Sequence, residues 1–398
     1  MKKGLILFIA LMLVGISAMS DKTQAASYVN PNQTYTYETM TSNIKTLAQK
    51  YPGLVQYRSL GKTPYGRDIW AVKLGRGDAT VLYNASHHAR EWITTNIVME
   101  MIDQYSEKYV LNGTMDGYNV AHVLNNTSIW FIPMTNPDGV TLQQKGLSAF
   151  PASAHANLIK MNGGSKDFKR WKSNAQGIDL NRQYPARWDE IDNNAKAPYY
   201  KDYKGKAPLQ TTEAKAVTAL TYLVDPELTN SYHTAGRILY YHFNYGSNTY
   251  EGDKTLGSTL SAMTGYRLIP PDTNLSSGGG YKDWFIQTFK RPGFTFELAP
   301  YAGETNPPIS IFSEEWNRNK KAGLYMAIDG DKRWEKRITP LTKTITLTQK
   351  VPLHDRPNTK HKMAAASLYP GTYKVNASYG NFYRIQTILG PKWILNKS

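Results

Sequence analysis

A dense cluster of polar side chains lies between a strand pattern and a helix pattern. The segment 86–92 contains His87, His88, Arg90 and Glu91, follows an apolar run typical of a strand, and precedes a helix-like run. Proteins built from alternating strands and helices often place their chemistry at such a junction. Because His88 and Glu91 are three residues apart, their side chains face the same way on one helical turn, where an imidazole and a carboxylate suit a zinc ion that needs a third protein ligand. Without that third ligand, a solvated helix start with two chance histidines explains the cluster equally well.

Strand patterns alternate with helix patterns through most of the chain. Apolar residues at strand spacing predict strands at 55–60, 68–74, 79–84, 128–134, 228–232, 238–243 and 294–298. Helical spacing predicts helices at 37–50, 93–108, 211–224, 252–264, 281–289 and 313–328. Residues 144–176 are polar and irregular, which indicates a long loop over a site. We therefore expect an α/β domain whose mixed, mostly parallel sheet is flanked by helices.

The composition changes after residue 337. Residues 338–342 have the character of a linker, and the remainder shows only short strand patterns, at 344–347, 372–377, 382–387 and 392–395. Pro-Asn, Pro-Gly and Tyr-Gly pairs form the turns between them. Residues 339–398 contain seven Lys, two Arg and one Asp, so this segment carries a net charge of +8. It is predicted to be a small basic β-barrel that follows a domain at 27–338.

Residues 1–26 have the parts of a secretory leader. Lys2 and Lys3 precede the uncharged apolar stretch 4–20, and Ala25 and Ala26 offer small residues for cleavage. The apolar stretch is shorter than the ~20 residues of a membrane-spanning helix. The sequence has no cysteine, which excludes disulfides and a lipid anchor on cysteine. A secreted protein without a membrane span is therefore expected, with an uncleaved anchor as the alternative.

The formal net charge of the whole chain is +16. A field of this sign attracts anionic polymers, of which nucleic acid and an anionic cell wall are the two candidates. Nucleic-acid binding would require basic and aromatic residues interleaved along a groove, and no such segment is recognisable. For an exported chain the cell wall is the better partner, and a role in solubility alone is the alternative.

Four short segments together resemble the zinc carboxypeptidase family of metallopeptidases. They are His-Ala-Arg-Glu at 88–91, Asn-Arg at 181–182, His-Thr at 233–234, and Phe-Thr-Phe-Glu-Leu at 294–298. Their order and spacing are specific only in combination, and the resemblance covers residues ~35–335. It implies a carboxypeptidase-like fold and one Zn²⁺ per chain.

The resemblance assigns a metal group and a base. His88, Glu91 and His233 correspond to the zinc ligands, which leave a fourth position for water. Glu297 corresponds to the general base, with a structural ion pair as the alternative role. His87 is the rival of His88, but the family pattern His-x-x-Glu selects His88.

Three further residues correspond to substrate contacts of the family. Arg90 matches the arginine that lies near the scissile carbonyl. Asn181 and Arg182 match the pair that holds a substrate carboxylate, for which the guanidinium fork has a suitable geometry.

Three positions depart from the family pattern. Lys172 aligns with an arginine that stabilises the oxyanion, and an ammonium group supplies charge without a bidentate fork. Leu275 stands where carboxypeptidases carry a substrate-capping tyrosine, which argues against strict C-terminal action. Lys282 aligns with the base of the specificity pocket, where a cation would favour a negative group on the residue after the cut. A Lys282 side chain that extends to solvent is the alternative.

The C-terminal segment resembles the SH3-like modules of bacterial wall hydrolases. The likeness rests on residues 351–357 and 370–375 and on Trp393 in the last predicted strand. Together with the leader and the charge, it indicates a cell-wall-binding domain at 339–398.

These resemblances imply a secreted zinc peptidase that hydrolyses peptidoglycan stem peptides at γ-D-glutamyl–diamino acid bonds. In that reaction zinc-activated water attacks, Glu297 transfers protons, and Arg90 with Lys172 holds the oxyanion. Arg182 and Lys282 would each meet a negative group of diaminopimelate. Two alternatives remain. One is a carboxypeptidase that removes C-terminal residues, acidic ones included, from peptides or proteins. The other is an inactive wall-binding protein whose terminal barrel is the functional part.

Overall fold

The computed structural model describes residues 27–245, 248–250, 253–271, 278–357, 359 and 362–396. The leader predicted at 1–26 and the departure at Leu275 lie outside the described residues. Within the described ranges, no helix combines the length and the apolar character that crossing a membrane requires.

The described helices and strands follow one another in a largely alternating order. The helices are α1 (Tyr37–Lys50), α2 (Ile93–Val110), α3 (Val120–Asn126), α4 (Pro137–Lys145), α5 (Ala152–Met161), α6 (Thr212–Val224), α7 (Lys254–Thr264), α8 (Tyr281–Phe289) and α9 (Phe312–Arg337). The strands before α9 are β1 (Val55–Lys62), β2 (Asp68–Leu74), β3 (Ala79–Ala85), β4 (Thr114–Met115), β5 (Tyr118–Asn119), β6 (Thr127–Ile132), β7 (Leu228–Thr234), β8 (Ile238–Tyr240), β9 (Phe243–Tyr245), β10 (Asn248–Tyr250), β11 (Arg267–Leu268) and β12 (Gly293–Leu298). The strands after α9 are β13 (Thr339–Leu347), β14 (Val351–His354), β15 (Lys362–Leu368), β16 (Gly371–Tyr379), β17 (Phe382–Thr387) and β18 (Gly390–Leu395).

One eight-stranded sheet forms the centre of the larger domain, with the strand order β1-β2-β6-β3-β7-β12-β8-β11. Strands β6, β3, β7 and β12 run parallel to one another, and β11 runs parallel to β8. The pairs β1–β2, β2–β6 and β12–β8 are antiparallel. All seven residues of β3 are buried, as expected for a central parallel strand covered on both faces. The predicted mixed, mostly parallel sheet is confirmed.

Helices cover both faces of this sheet. Val81 and Tyr83 of β3 belong to one apolar core, together with residues of α1, α2, α7 and α9. Leu82 belongs to a second core with α6 and α8. Successive residues of a strand point to opposite faces, so the two cores lie on opposite sides of the sheet. Gly330 of α9 approaches β3 so closely that a Cβ atom there would lie 2.5 Å from Val81 Cγ1.

Residues 144–176 do not form the long irregular loop that their polarity indicates. Helix α4 ends within this range, and α5 follows it. Leu158 and Met161 of α5 join a third apolar core that includes Phe168 and Trp171. These apolar residues are sparse in sequence, and folding gathers them into one cluster that orders the segment.

The prediction of a linker at 338–342 is wrong, because only Ile338 separates α9 from β13 and residues 339–342 belong to that strand. Six strands then form an antiparallel sheet of order β13-β16-β17-β18-β14-β15. The antiparallel β region predicted after the α/β domain is confirmed, and its likeness to SH3-like modules stays a prediction.

The antiparallel sheet packs against the end of the larger domain where β3 begins. Ala79, the first residue of β3, and Trp334 of α9 share an apolar cluster with Phe382 and Trp393. The rings of Trp334 and Trp393 meet edge to face, with centroids 6.3 Å apart. Because a strand rises ~3.3 Å per residue, this interface lies about 20 Å along β3 from the polar cluster at its other end.

Candidate metal centre

The polar cluster 86–92 lies at the carboxyl end of β3, before α2. Ser86 follows the strand directly and has a positive φ of 50°, in the left-handed region that residues other than glycine rarely occupy. Its amide donates a hydrogen bond to Thr94 Oγ1 at 2.9 Å, and Asn136 Nδ2 donates to the carbonyl of His87 at 3.0 Å. The starts of α2 and α4 therefore hold the bend that turns the following side chains toward the neighbouring strand.

His88, Glu91 and His233 bring three donor groups together. His88 Nδ1 lies 2.8 Å from Glu91 Oε1, and His233 Nδ1 lies 2.9 Å from Glu91 Oε2. The two Nδ1 atoms are 3.2 Å apart. His233 belongs to β7, which pairs in parallel with β3, so the ends of two adjacent strands supply the group.

This donor set fits a zinc ion. Two imidazole nitrogens and a carboxylate converge, and a cation between them would satisfy a lone pair of each. Each residue is buried and offers one ligand atom, and these atoms lie within 4.8 Å of one another. Zinc prefers nitrogen and oxygen donors of this kind and uses three protein ligands in catalytic sites. The group can therefore hold one zinc ion.

Asp179 orients the His88 ring. Its Oδ1 lies 3.1 Å from His88 Nε2 and accepts the amide of Asn181 at 3.0 Å. A carboxylate at the second nitrogen of a metal-binding imidazole sets its tautomer and its orientation. Burial opposes ionisation of Asp179, but Lys172 and His88 hold the pKa of its carboxyl well below the usual value. Sequence reasoning missed this residue, although it stands two positions before Asn181 in a segment already selected.

His87 lies outside the donor group. Its Nε2 is 2.8 Å from the hydroxyl of Tyr184, and its ring stacks on that of His233 with centroids 5.7 Å apart. Burial and the neighbouring His233 hold the pKa of His87 well below the usual value, so its ring is neutral. The neutral His87 ring therefore packs against His233 and adds no charge to the group formed by His88, Glu91 and His233.

Glu297 reaches the same edge of the sheet from β12. This strand runs parallel to β7, and Glu297 pairs with His233 in the register. Burial raises the pKa of the Glu297 carboxyl to about 7, against the opposing influence of His233. Within the described part of the chain, no basic side chain forms an ion pair with this carboxylate. A carboxyl group opposite a residue of the metal group suits proton transfer.

Arg90 extends toward the loop after β12. Its Nη1 donates to the carbonyl of Arg170 at 3.1 Å and lies 3.3 Å from Glu304 Oε1. Lys201 Nζ lies 2.7 Å from the same Glu304 oxygen. Glu304, which belongs to none of the sequence motifs, therefore pairs with both Arg90 and Lys201.

Lys172 and Arg182 meet across two acidic residues. Lys172 Nζ lies 2.9 Å from Asp179 Oδ2 and 3.1 Å from Asp202 Oδ1. Arg182 Nη2 lies 3.4 Å from the same Asp202 oxygen, and its Nε lies 3.7 Å from Asp179 Oδ2. The four side chains form a ring of alternating charge beside the metal group. Asp202, with a side chain 30% exposed, was missed because it stands in a polar loop without a recognisable pattern.

Asn181 and Lys282 make contacts that the sequence did not indicate. Asn181 Oδ1 accepts the backbone amide of Tyr281 at 3.1 Å, which ties it to the start of α8. Lys282 Nζ lies 2.6 Å from Asp283 Oδ1 and donates to the carbonyl of His242. The Lys282 side chain is only 12% exposed, so it does not extend to solvent, and Asp283 balances its charge.

Comparison with known proteins identifies the family. The family model described as zinc carboxypeptidase matches residues 40–322, which is more than half of the chain. The chain belongs to the zinc carboxypeptidase family. It is therefore a hydrolase that uses one zinc ion, as the four sequence segments implied.

Two relatives match most of this zinc carboxypeptidase. Gamma-D-glutamyl-L-diamino acid endopeptidase 1 of Lysinibacillus sphaericus is 37% identical over 302 residues, which cover 75% of this chain and 73% of the relative. The uncharacterized protein YqgT of Bacillus subtilis is 30% identical over 295 residues, which cover 73% of this chain and 76% of the relative.

Solved structures share the fold of this zinc carboxypeptidase. Thrombin activatable fibrinolysis inhibitor superposes with a TM-score of 0.60 at 18% identity, covering 79% of each chain. Carboxypeptidase A of Helicoverpa armigera gives a TM-score of 0.60 at 17% identity, covering 80% of this chain and 78% of that one. At such low identity the likeness shows the fold alone, and it confirms the carboxypeptidase-like architecture.

Three parallel strands supply the chemical groups of this zinc carboxypeptidase. Strand β3 leads into His88 and Glu91, β7 carries His233, and β12 carries Glu297. Because carboxyl ends of neighbouring parallel strands share one edge of a sheet, the metal group, the Glu297 carboxyl and charged side chains lie together. The arrangement can hold a Lewis acid, move a proton and bind charged groups.

Proposed function

We propose that this enzyme hydrolyses amide bonds of peptidoglycan stem peptides between a γ-D-glutamyl residue and a diamino acid. One observation carries the proposal. A chain 37% identical to a γ-D-glutamyl-L-diamino acid endopeptidase has His88, Glu91, His233 and Glu297 gathered at one edge of the sheet. The non-enzymatic alternative is an inactive wall-binding protein. Such a protein would not require the three metal-binding residues together with Glu297.

His88, Glu91 and His233 hold the zinc ion in this proposal. The ion supplies Lewis acidity, which makes water a sufficient nucleophile at neutral pH. Asp179 keeps the His88 ring turned with Nδ1 toward the group, and the neutral ring of His87 packs behind His233.

Glu297 is the general base. Its carboxylate takes a proton from the attacking water and passes that proton to the leaving nitrogen. Arg90 and Lys172 supply positive charge where negative charge develops on the scissile carbonyl oxygen. The contacts of Lys172 with Asp179 and Asp202 fix its ammonium group before substrate arrives.

Arg182 and Asp202 suit a substrate that carries both charges. A guanidinium group binds a carboxylate through two parallel hydrogen bonds, and the neighbouring Asp202 carboxylate can accept from an ammonium group. Diaminopimelate offers both groups beyond the cleaved bond. Asn181 holds the start of α8 beside Arg182. Lys282 binds a negative group of the substrate, which replaces Asp283 as the partner of its ammonium group.

A metallocarboxypeptidase acting on peptides or proteins is the second candidate. The pair of Asn181 and Arg182 favours it, because the family resemblance assigns this pair to a substrate carboxylate. Asp202 disfavours it, because its carboxylate beside Arg182 suits a substrate ammonium group, which an acidic C-terminal residue lacks.

We further propose that the enzyme is secreted and associates with the cell wall. This proposal assigns residues 1–26 to a cleaved leader, 27–338 to the catalytic domain and 339–398 to an SH3-like wall-binding domain. The net charge of +8 in the last segment supports attraction to an anionic wall. Cell fractionation tests it: the protein should be in the wall fraction and should be released by high salt.

Two purified peptides test the substrate. Zinc-loaded enzyme is incubated with the stem tripeptide that ends in diaminopimelate and, separately, with a peptide that ends in glutamate. Release of diaminopimelate from the first, without release of glutamate from the second, supports the proposal. Release of glutamate alone would decide for the carboxypeptidase. The Glu297→Gln variant, purified in parallel, controls for a contaminating peptidase.

A further inference from the structure

Helix α2 carries three buried carboxyl groups along one stripe. Glu100, Asp103 and Glu107 are three and four residues apart, so they follow one face of the helix. These residues are 7%, 0% and 5% exposed. Within the described ranges, no basic side chain forms an ion pair with any of them. Buried carboxylates are costly when no cation pairs with them.

Polar atoms at this stripe lack hydrogen-bond partners among the described residues. They are Asp103 Oδ1, Glu100 Oε2 and the hydroxyl oxygen of Tyr51. Tyr51 ends α1 and is 6% exposed. Burial, with the nearby charges of Asp103 and Glu107, raises the pKa of its hydroxyl. Because buried polar atoms normally have partners, this set points to a missing donor group, and the neighbouring acidic groups favour a donor that carries positive charge.

The first described residues of the chain dock onto the same stripe. Asp103 Oδ2 accepts the Ser27 hydroxyl at 2.8 Å and the amides of Tyr28 and Val29 at 2.9 Å and 3.0 Å. Asn43 of α1 donates from Nδ2 to the carbonyl of Tyr28 at 2.5 Å. The backbone at residue 27 is therefore held beside the acidic stripe.

We propose that Glu100, Asp103 and Glu107 form the receptor for the α-ammonium group that removal of the leader creates. Cleavage at Ala25 or Ala26 leaves the new amino terminus directly before the docked segment. An ammonium group brings one positive charge and three donors, whereas the uncut chain has a neutral peptide bond at this point. The proposal rests on the cleaved leader proposed above and is independent of the reaction catalysed.

The proposed ion pair links leader removal to the rigidity of α2. Burial, with the charges of Asp103 and Glu107, raises the pKa of Glu100 to about 8, and a nearby cation favours its ionised form. Helix α2 begins at Ile93, close after the metal-group residue Glu91. The processed amino terminus therefore stabilises the helix that follows this part of the metal group.

Mass spectrometry of the exported protein gives the first test. A mature chain that begins at residue 26 or 27 is expected. A chain that begins after Val29 would lack the docked segment and would overturn the proposal.

The reactivity of the α-amine gives the second test, on zinc-loaded protein released from a fusion with its native start. A buried ion pair keeps the amine protonated and protects it from acylation. The amine should therefore react at least about tenfold more slowly than the amine of a form extended by Gly-Ser. Equal acylation rates in the two forms contradict the proposal, and neither measurement requires a substrate.

The Asp103→Asn variant tests the receptor. Its α-amine should react as fast as that of the extended form. The extension should lower the thermal midpoint of the unmodified protein by about 3 °C and should have little effect in Asp103→Asn. Glu38→Gln is the matched control, because Glu38 is an exposed acid of α1 paired with Lys145 at 2.8 Å, and it should change neither readout.

Two outcomes keep the test decisive. If Asp103→Asn does not fold, the comparison of native and extended forms still supports or contradicts the ion pair. If the extended form is as stable as the native form, and added Ca²⁺ or Mg²⁺ stabilises both equally, the stripe binds an inorganic cation and the proposal is wrong.

Discussion

Glu297 stands directly opposite His233 in the parallel pairing of β12 with β7. A shift of this register by one residue would turn Glu297 to the other face of the sheet. Phe296 and Leu298, which flank Glu297, are buried in the main apolar core and hold the register. Core packing therefore decides where the carboxyl group lies relative to the metal group.

Replacing Glu297 with Gln should abolish hydrolysis and leave zinc bound. The amide cannot take a proton from water, so turnover of the stem tripeptide should fall by at least about 100-fold. The three zinc-binding side chains are unchanged, so metal analysis should still find one zinc per chain. Retained turnover would remove Glu297 from the mechanism, and His88→Ala, which should lose zinc as well as activity, is the comparison.

Replacing Asp179 with Asn should weaken zinc binding by about 10–100-fold, because the carboxylate orients the ring of His88. Competition with a chelator measures the affinity. Asp202→Asn is the matched control, since Asp202 also contacts Lys172 but makes no contact with His88. Equal zinc affinity in Asp179→Asn and the unmodified enzyme would show that the contact has no orienting role.

Replacing Asp202 with Asn should change the substrate preference. The variant loses a carboxylate for the substrate ammonium group and releases Arg182 for carboxylates. We expect kcat/KM for the diaminopimelate peptide to fall about tenfold, a change of about 1.4 kcal/mol. Cleavage of the glutamate-ending peptide should rise. A proportional change for both peptides would mean that Asp202 only supports Lys172.

The buried carboxyl of Glu213 in α6 should make stability depend on pH. Burial raises its pKa to about 7 from the ordinary 4.5, and Asn174 Nδ2 donates to its Oε1 at 3.3 Å. Between these pH values the folded protein keeps a proton that the unfolded chain has lost. The stabilisation is fully present below about pH 4.5 and is lost as the pH rises to about 7.

Glu213→Gln keeps the oxygen that accepts from Asn174 and removes the titration. The variant should be more stable at pH 8, by on the order of 2 kcal/mol, and no more stable at pH 4. Urea unfolding at the two pH values measures this. Parallel pH profiles for the variant and the unmodified protein would exclude Glu213 as the source.

Truncation after Arg337 should destabilise the remaining domain without changing its chemistry. It uncovers Trp334 and Ala79, which pack against Trp393, and loss of a buried aromatic contact costs about 3 kcal/mol. The thermal midpoint should fall. Turnover of a soluble stem peptide at low temperature should persist, because the interface and the metal group lie at opposite ends of β3. An unchanged midpoint would mean that the two units are independent.

The sequence by itself determined the fold class and the residues of the metal group. Alternating strand and helix patterns predicted the mixed sheet, since hydrophobic periodicity is a local property of the chain. His88 and Glu91 could be paired because they share one turn. His233 and Glu297 were found because they follow or lie near the end of a strand pattern, in the order of the family. The antiparallel region after residue 338 was also visible as a change of composition.

Only the tertiary structure decided which charges meet. Asp202 and Glu304 neutralise Lys172, Arg182 and Arg90 from positions distant in sequence, and no local pattern encodes such contacts. The same holds for Lys282, whose charge is balanced by its neighbour Asp283 only because the helix turns both groups inward. Local sequence sets strands and turns through backbone preferences. The strength of an ionic contact depends on distance and burial, which exist only once the chain is folded.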